Sequence, residues 1–129
     1  MRNLFLGLSL GLAFWISIPA FANDGPAKVD KTIAQRARLN DEVLRLSQPL
    51  TCSSDSDCAS LAMGSKPCGG PWKYVIYSKK NSKVPALKKK LGDYNKLDQH
   101  VNQSQNTMSD CSMLIEPNLA CVKSICIEK

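Results

Sequence analysis

This chain of 129 residues has one histidine, and no two cysteines stand in a C-x-x-C spacing. With a single imidazole, Ser-His-Asp and histidine-zinc chemistry are nearly excluded. Without C-x-x-C, a thioredoxin-like redox site or a zinc knuckle has no local signature. No paired carboxylates, phosphate loop or H-E-x-x-H pattern is present. Long apolar runs are also missing, except at the N-terminus. There Arg2 precedes Leu4 to Ile18, and Ala20-Phe21-Ala22 forms an A-x-A site. An apolar run of about 15 residues is shorter than the roughly 20 that a spanning helix needs. Residues 1–22 therefore read as a secretory signal cleaved after Ala22, with no membrane span afterwards. No cysteine follows the site, which argues against a lipid anchor.

What is present is six cysteines, all beyond residue 50. An even count in a small exported chain implies three disulfides, and an oxidising compartment, either the periplasm or the cell exterior. The remaining 107 residues, 23–129, make one domain: a helical segment over 23–49 and a stapled core over 50–129. Formal charge is +6 for the full chain. Loss of Arg2 brings it to +5, a mild attraction to anionic surfaces without a specific partner.

The chain is organised around Lys66-Pro67-Cys68-Gly69-Gly70-Pro71-Trp72 and the strand that follows. Two prolines restrict φ while two glycines permit positive φ, so the corner is tightly specified. Trp72 to Tyr77 alternates, with Trp72, Tyr74 and Ile76 on one face and Lys73, Val75 and Tyr77 on the other. Putting Trp72 and Tyr74 in the core leaves Tyr77 on the surface, as a partner contact. Ala59 to Met63 pairs with this strand as a hairpin.

Ala27 to Leu46 reads as an amphipathic helix through Val29, Ile33, Ala37, Val43 and Leu44, stopped by Pro49. Leu87, Leu91, Tyr94, Leu97 and Val101 predict a second helix, with Ser82 as its cap and Pro85 in its first turn. In the tail, Cys111 to Ile115 reads as a short β run. Leu119–Val122 and Ile125–Glu128 form a second hairpin about Lys123-Ser124, a poor pair for a primed turn. The expected fold is α+β, a small antiparallel sheet of two hairpins packed with two helices and stapled by disulfides.

Cys52, Cys58 and Cys68 precede the second helix, and Cys111, Cys121 and Cys126 follow it in near-mirror order. That symmetry suits a nested pattern of Cys68–Cys111, Cys58–Cys121 and Cys52–Cys126. A local alternative joins Cys121 to Cys126 across the tail hairpin. Sequence does not choose among the fifteen connectivities.

The string Cys52-x5-Cys58-x9-Cys68-Gly69-Gly70-Pro71, with Tyr77-Ser78, Leu91, Tyr94, Ser109-Asp110-Cys111, Pro117, Cys121 and Cys126, resembles small exported bacterial proteins that carry a Cys-Gly-Gly-Pro corner. The resemblance covers roughly residues 50–127 and implies an exported disulfide protein; it brings no activity with it. Cys52-x-x-Asp55-x-Asp57-Cys58 also looks like a local motif of knottin-like and whey-acidic-type inhibitor modules. Those pack cysteines more densely and lack a long internal helix, so this likeness is one of turn chemistry.

The strongest charge feature is Lys79, Lys80, Lys83, Lys88, Lys89 and Lys90, in twelve residues without an acid. It either meets an anionic envelope polymer or an acidic protein face, or is a solvated surface. Nucleic acid does not fit the compartment, and no aromatic stacking platform accompanies the lysines. Asp55 and Asp57 fix a turn more readily than they hold calcium, which takes six to eight oxygens. His100 reads as a surface or half-buried residue. The chain is therefore expected to be a non-enzymatic binding or inhibitor-like module of an unknown protein, with no cofactor and no metal. One alternative is an electrostatic binder acting through Lys79–Lys90; the other is a thiol enzyme using Cys68, which needs a free thiol.

Overall fold

A computed structural model describes residues 26–129 of the chain, with side chains from residue 31 onward. The signal segment 1–22 and the side chains of Val29 and Asp30 lie outside the described residues. Helix α1 spans Pro26–Ser47, β1 Cys58–Met63, β2 Lys73–Ser78, α2 Val84–Ser104, β3 Leu119–Val122 and β4 Ile125–Glu128. β1 and β2 form one antiparallel hairpin, β3 and β4 another. The architecture is α+β, with two helices, two two-stranded sheets and three disulfides.

The β1–β2 hairpin is the middle layer. Its register pairs Ala59 with Tyr77 and Leu61 with Val75 on one face, and Ser60 with Ile76 on the other. The first face joins Val43 and Leu46 of α1 and Leu87 and Leu91 of α2 in the main core. The second turns Ile76 toward a smaller core of bridged cysteines from the β3–β4 side. Tyr77 is thus 6% exposed and a core residue, which corrects its expected place on the surface. Both faces of β2 carry apolar and aromatic groups, so alternation defines the faces without saying which one the helices cover.

α2 buries Leu87, Leu91 and Val101 as the spacing predicts. Its start is fixed by Asn81, not by Ser82. The Asn81 Oδ1 accepts the Lys83 amide at 2.9 Å, and its Nδ2 donates to the carbonyls of Leu46 and Gln48. One buried amide thereby ties the end of α1 to the start of α2. α1 buries Val43 and Leu46, while Ile33 and Leu44 stay exposed, so it docks along one edge only.

Lys123 and Ser124 both take positive φ in the turn between β3 and β4, the conformation a two-residue hairpin turn requires. The tail's first expected strand does not form: residues 107–118 hold no regular secondary structure. Cys111 itself has φ +53°, which interrupts any strand there.

Three bridges close the structure: Cys52–Cys121, Cys58–Cys126 and Cys68–Cys111. The expected Cys68–Cys111 bond is present. Cys58–Cys121 and Cys52–Cys126 are not, nor is Cys121–Cys126. The reason is the path of residues 50–57. Leu50 accepts the Cys126 amide on the β4 side, and the Asp55 carboxylate accepts the Cys121 amide on the β3 side. Residues 50–52 pair antiparallel with 124–126 through the Thr51–Ile125 bridge, and the chain then bends round the hairpin so that Asp55 meets β3. The two bridges therefore lie side by side, with the Sγ atoms of Cys52, Cys58 and Cys126 within 4.8 Å of one another. Cys121 and Cys126 oppose each other in register, but each is bonded across the layers.

Candidate interaction surface

The base of the site is Asp98 on α2, 1% exposed. Its Oδ1 accepts Arg36 Nη1 from α1 at 3.0 Å. Its Oδ2 accepts the Ser65 amide at 2.9 Å, Trp72 Nε1 at 3.0 Å and Asn102 Nδ2 at 3.2 Å. One turn earlier on α2, Asn95 accepts the Gly64 amide at 2.7 Å. Further along, Asn102 donates to the Ser65 carbonyl at 2.7 Å. Asn95, Asp98 and Asn102 recur at spacings of three and four, so they form a polar stripe on one helix face. That stripe grips the loop 64–72 that joins β1 to β2. Sequence reasoning followed the apolar stripe of α2 and passed over this parallel one, whose period was the available signal.

The gripped loop is tight. Gly64 has φ +88°, and a Cβ there would lie 2.4 Å from Trp72 Cδ1. Gly69 and Gly70 also take positive φ, as the Pro-Gly-Gly-Pro corner predicts. Lys66 is buried beside Trp72, with Nζ 5.6 Å from the ring centroid. It reaches out of the loop to the tail, donating to the Ser112 carbonyl at 2.8 Å and Oγ at 3.1 Å, and lies 3.4 Å from Asp110. The Cys68–Cys111 bridge fastens the same two segments. Cys68 is therefore bridged, as are all six cysteines.

Beyond this clamp the tail runs free for three residues and is caught again. The Ser60 hydroxyl donates to the Glu116 carboxylate, and Pro117 follows with its fixed φ. Between the two braces, Met113 is 93% exposed, Leu114 42% and Ile115 89%. Among the described residues, no hydrogen bond reaches the backbone of Met113, Leu114 or Ile115. Exposure peaks at Met113 and Ile115, and Leu114 between them is exposed as well, so three consecutive apolar side chains stand at the surface. Sequence reasoning missed this surface because it treated 111–115 as a sheet strand.

The expected contacts fare differently. Four of the six lysines are engaged. Lys79 donates to the Ser56 carbonyl at 2.8 Å; Lys80 lies 3.1 Å from Asp57; Lys83 reaches the Gln48 carbonyl; Lys90 lies 3.0 Å from Glu42. Lys88 and Lys89 stay exposed on α2. His100 is exposed on the same helix. Trp72 and Tyr94 line an open groove of about 530 Å³ between the helices. Its buried carboxylate, Asp98, already takes four donors.

Asp55 and Asp57 fix the 50–58 turn. The Cys121 amide, then Lys129, holds the Asp55 carboxyl below its usual range. The Ser53 amide, then Lys80, does the same for Asp57. Depressed folded-state values mean that the contribution is present above the unfolded pKa, near 4, and is lost as pH falls through the lower folded value. Acidification from pH 5 to pH 2 should therefore speed hydrogen exchange at the amides of Cys121, Ser53 and Ser54, after correction for the intrinsic rate, before the α2 amides respond. Equal protection at both pH values would contradict the assignment.

Geometry and composition define a disulfide-bridged α+β domain that presents one braced apolar segment. No family model, curated protein or solved structure matches the chain. Three bridges are compatible with an exported protein, and among the described residues no helix is long and apolar enough to cross a membrane.

Proposed function

We propose that this chain is an exported, non-enzymatic binding module, inhibitor-like in build, that engages a protein through the braced segment Ser112–Pro117. Residues 1–22 act as its signal, cleaved after Ala22, and deliver 23–129 to the periplasm or the exterior. The observation that carries the reading is the pair Met113 and Ile115, almost fully exposed on a segment clamped at both ends. With Leu114 between them they form a contiguous apolar surface, the kind of feature that marks interaction sites. Holding them in one conformation beforehand removes part of the ordering cost of binding. The thiol-enzyme alternative loses its nucleophile to the Cys68–Cys111 bridge. The electrostatic alternative keeps only Lys88 and Lys89 of its six lysines unengaged.

The test is a photo-crosslinking residue at position 113, compared with one at position 88, in the cells that export the protein. A discrete protein adduct at 113 and none at 88 is the expected result. Adducts only at 88, or at neither position, would refute the reading.

A further inference from the structure

We infer that Met113–Ile115 fits the substrate cleft of an endopeptidase with an apolar primary pocket. This rests on the reading above that the segment is the binding surface. Three observations select the partner. First, among the described residues no hydrogen bond reaches the backbone of Met113, Leu114 and Ile115, so it suits a receptor that adds a strand to its own edge. Second, Met113 and Ile115 are the most exposed apolar side chains of the segment and stand two positions apart, about 7 Å once a receptor draws the chain out as a strand. A cleft that reads alternate side chains takes this spacing. Third, the segment is internal and held on both sides, by Lys66 and Cys68 before it and by Ser60 after it.

The third point excludes receptors that capture a free terminus and leaves those that accept mid-chain segments. An endopeptidase cleft does so by construction. The flexible, unbranched Met113 fills a deep apolar pocket. Leu114, between Met113 and Ile115, is itself 42% exposed. The bracing then separates an inhibitor from a substrate. A loose peptide binds such a cleft weakly and is cut, whereas a segment fixed in its bound form binds tightly, as protease–inhibitor interfaces of ordinary size do.

The 23–129 protein is assayed against chymotrypsin, pancreatic elastase and subtilisin, whose primary pockets are apolar, with trypsin, whose acidic pocket takes basic side chains, as the control. The expected result is inhibition of at least one of the three with a dissociation constant below about 1 µM, and none of trypsin. Met113→Asp should weaken that inhibition by about 100-fold or more, since a central anchor carries much of such an interface. Lys88→Glu should leave it unchanged. The Cys68→Ala/Cys111→Ala variant, still held by two bridges, should be cut between residues 112 and 116. Absence of inhibition of all three enzymes, prompt cleavage of the wild type, or equal inhibition by Met113→Asp would overturn the inference. A position-113 adduct with a protein other than an endopeptidase would overturn it too while leaving the binding surface standing. No adduct at all would remove both.

Discussion

Replacing Asp98 with Ala is expected to destabilise the domain by about 3–5 kcal/mol, the range for removing one partner of a buried ion pair. For a domain near 100 residues that lowers the melting temperature by roughly 20 °C. The magnitude follows from what stays behind. Arg36, the Ser65 amide, Trp72 Nε1 and the Asn102 amide all lose their shared acceptor, a carboxylate only 1% exposed. Asp98→Asn should cost less. It keeps one oxygen for the three donors at Oδ2 but turns an NH₂ toward Arg36. Trp72 is the only tryptophan of residues 23–129, so its fluorescence reports the site directly. Urea melts of the three proteins check the order wild type, Asn, Ala. An Ala variant within about 0.5 kcal/mol of wild type would mean that Asp98 does not anchor the loop.

Removing both Cys52–Cys121 and Cys58–Cys126 should unfold the domain or cost well over the loss from either alone. The bridges close sequence separations of 69 and 68 residues. Chain-entropy reasoning assigns each, taken alone, about 4 kcal/mol. They join the same two segments, 52–58 and 121–126, so the second shortens a loop that the first has already closed. Either single removal should therefore cost nearer 2 kcal/mol, at the low end of the usual range. The pair should be strongly non-additive, as neighbouring constraints are. Melts of the Cys52→Ala/Cys121→Ala, Cys58→Ala/Cys126→Ala and quadruple variants test this. Additive losses would contradict the shared-segment argument. Peptide mapping under non-reducing conditions should find the three bridges described and no peptide joining Cys58 to Cys121.

Elements fixed by local chemistry were legible in the chain. The apolar spacing of Leu87, Leu91 and Val101 placed α2. The Cys-Gly-Gly-Pro corner announced its positive-φ glycines, and both hairpins were legible, β3–β4 to the residue. Long-range choices were not. The two faces of β2 are chemically alike, so only the helices' docking decides that Tyr77 is buried and Trp72 becomes a hydrogen-bond donor to α2. The nested disulfide order followed the near-mirror spacing of the cysteines and left the path of 52–58 unspecified. Asp55 bends that stretch round the hairpin to meet the Cys121 amide, and two bridges change partners. The lysine cluster was visible as charge, yet Ser56, Asp57, Gln48 and Glu42 come to it from elsewhere in the chain. Asp98 looked like one more polar helix residue, because three of its four donors come from two other parts of the chain, α1 and the loop 64–72. The braced segment was hidden for a related reason: Ser112-Met113-Leu114-Ile115 has strand composition, and only the clamp from Lys66 and Cys68 keeps it out of a sheet.

The account turns on whether Met113–Ile115 is held in one shape while standing in water. Backbone ¹⁵N relaxation of the oxidised 23–129 protein measures that on the picosecond-to-nanosecond scale. The expected result is order parameters for residues 112–116 near the roughly 0.85 of rigid backbone, falling in the Cys68→Ala/Cys111→Ala variant while α2 is unchanged. Values below about 0.6 in the wild type would mark a flexible tail with no preformed surface, and would contradict the proposal at its root.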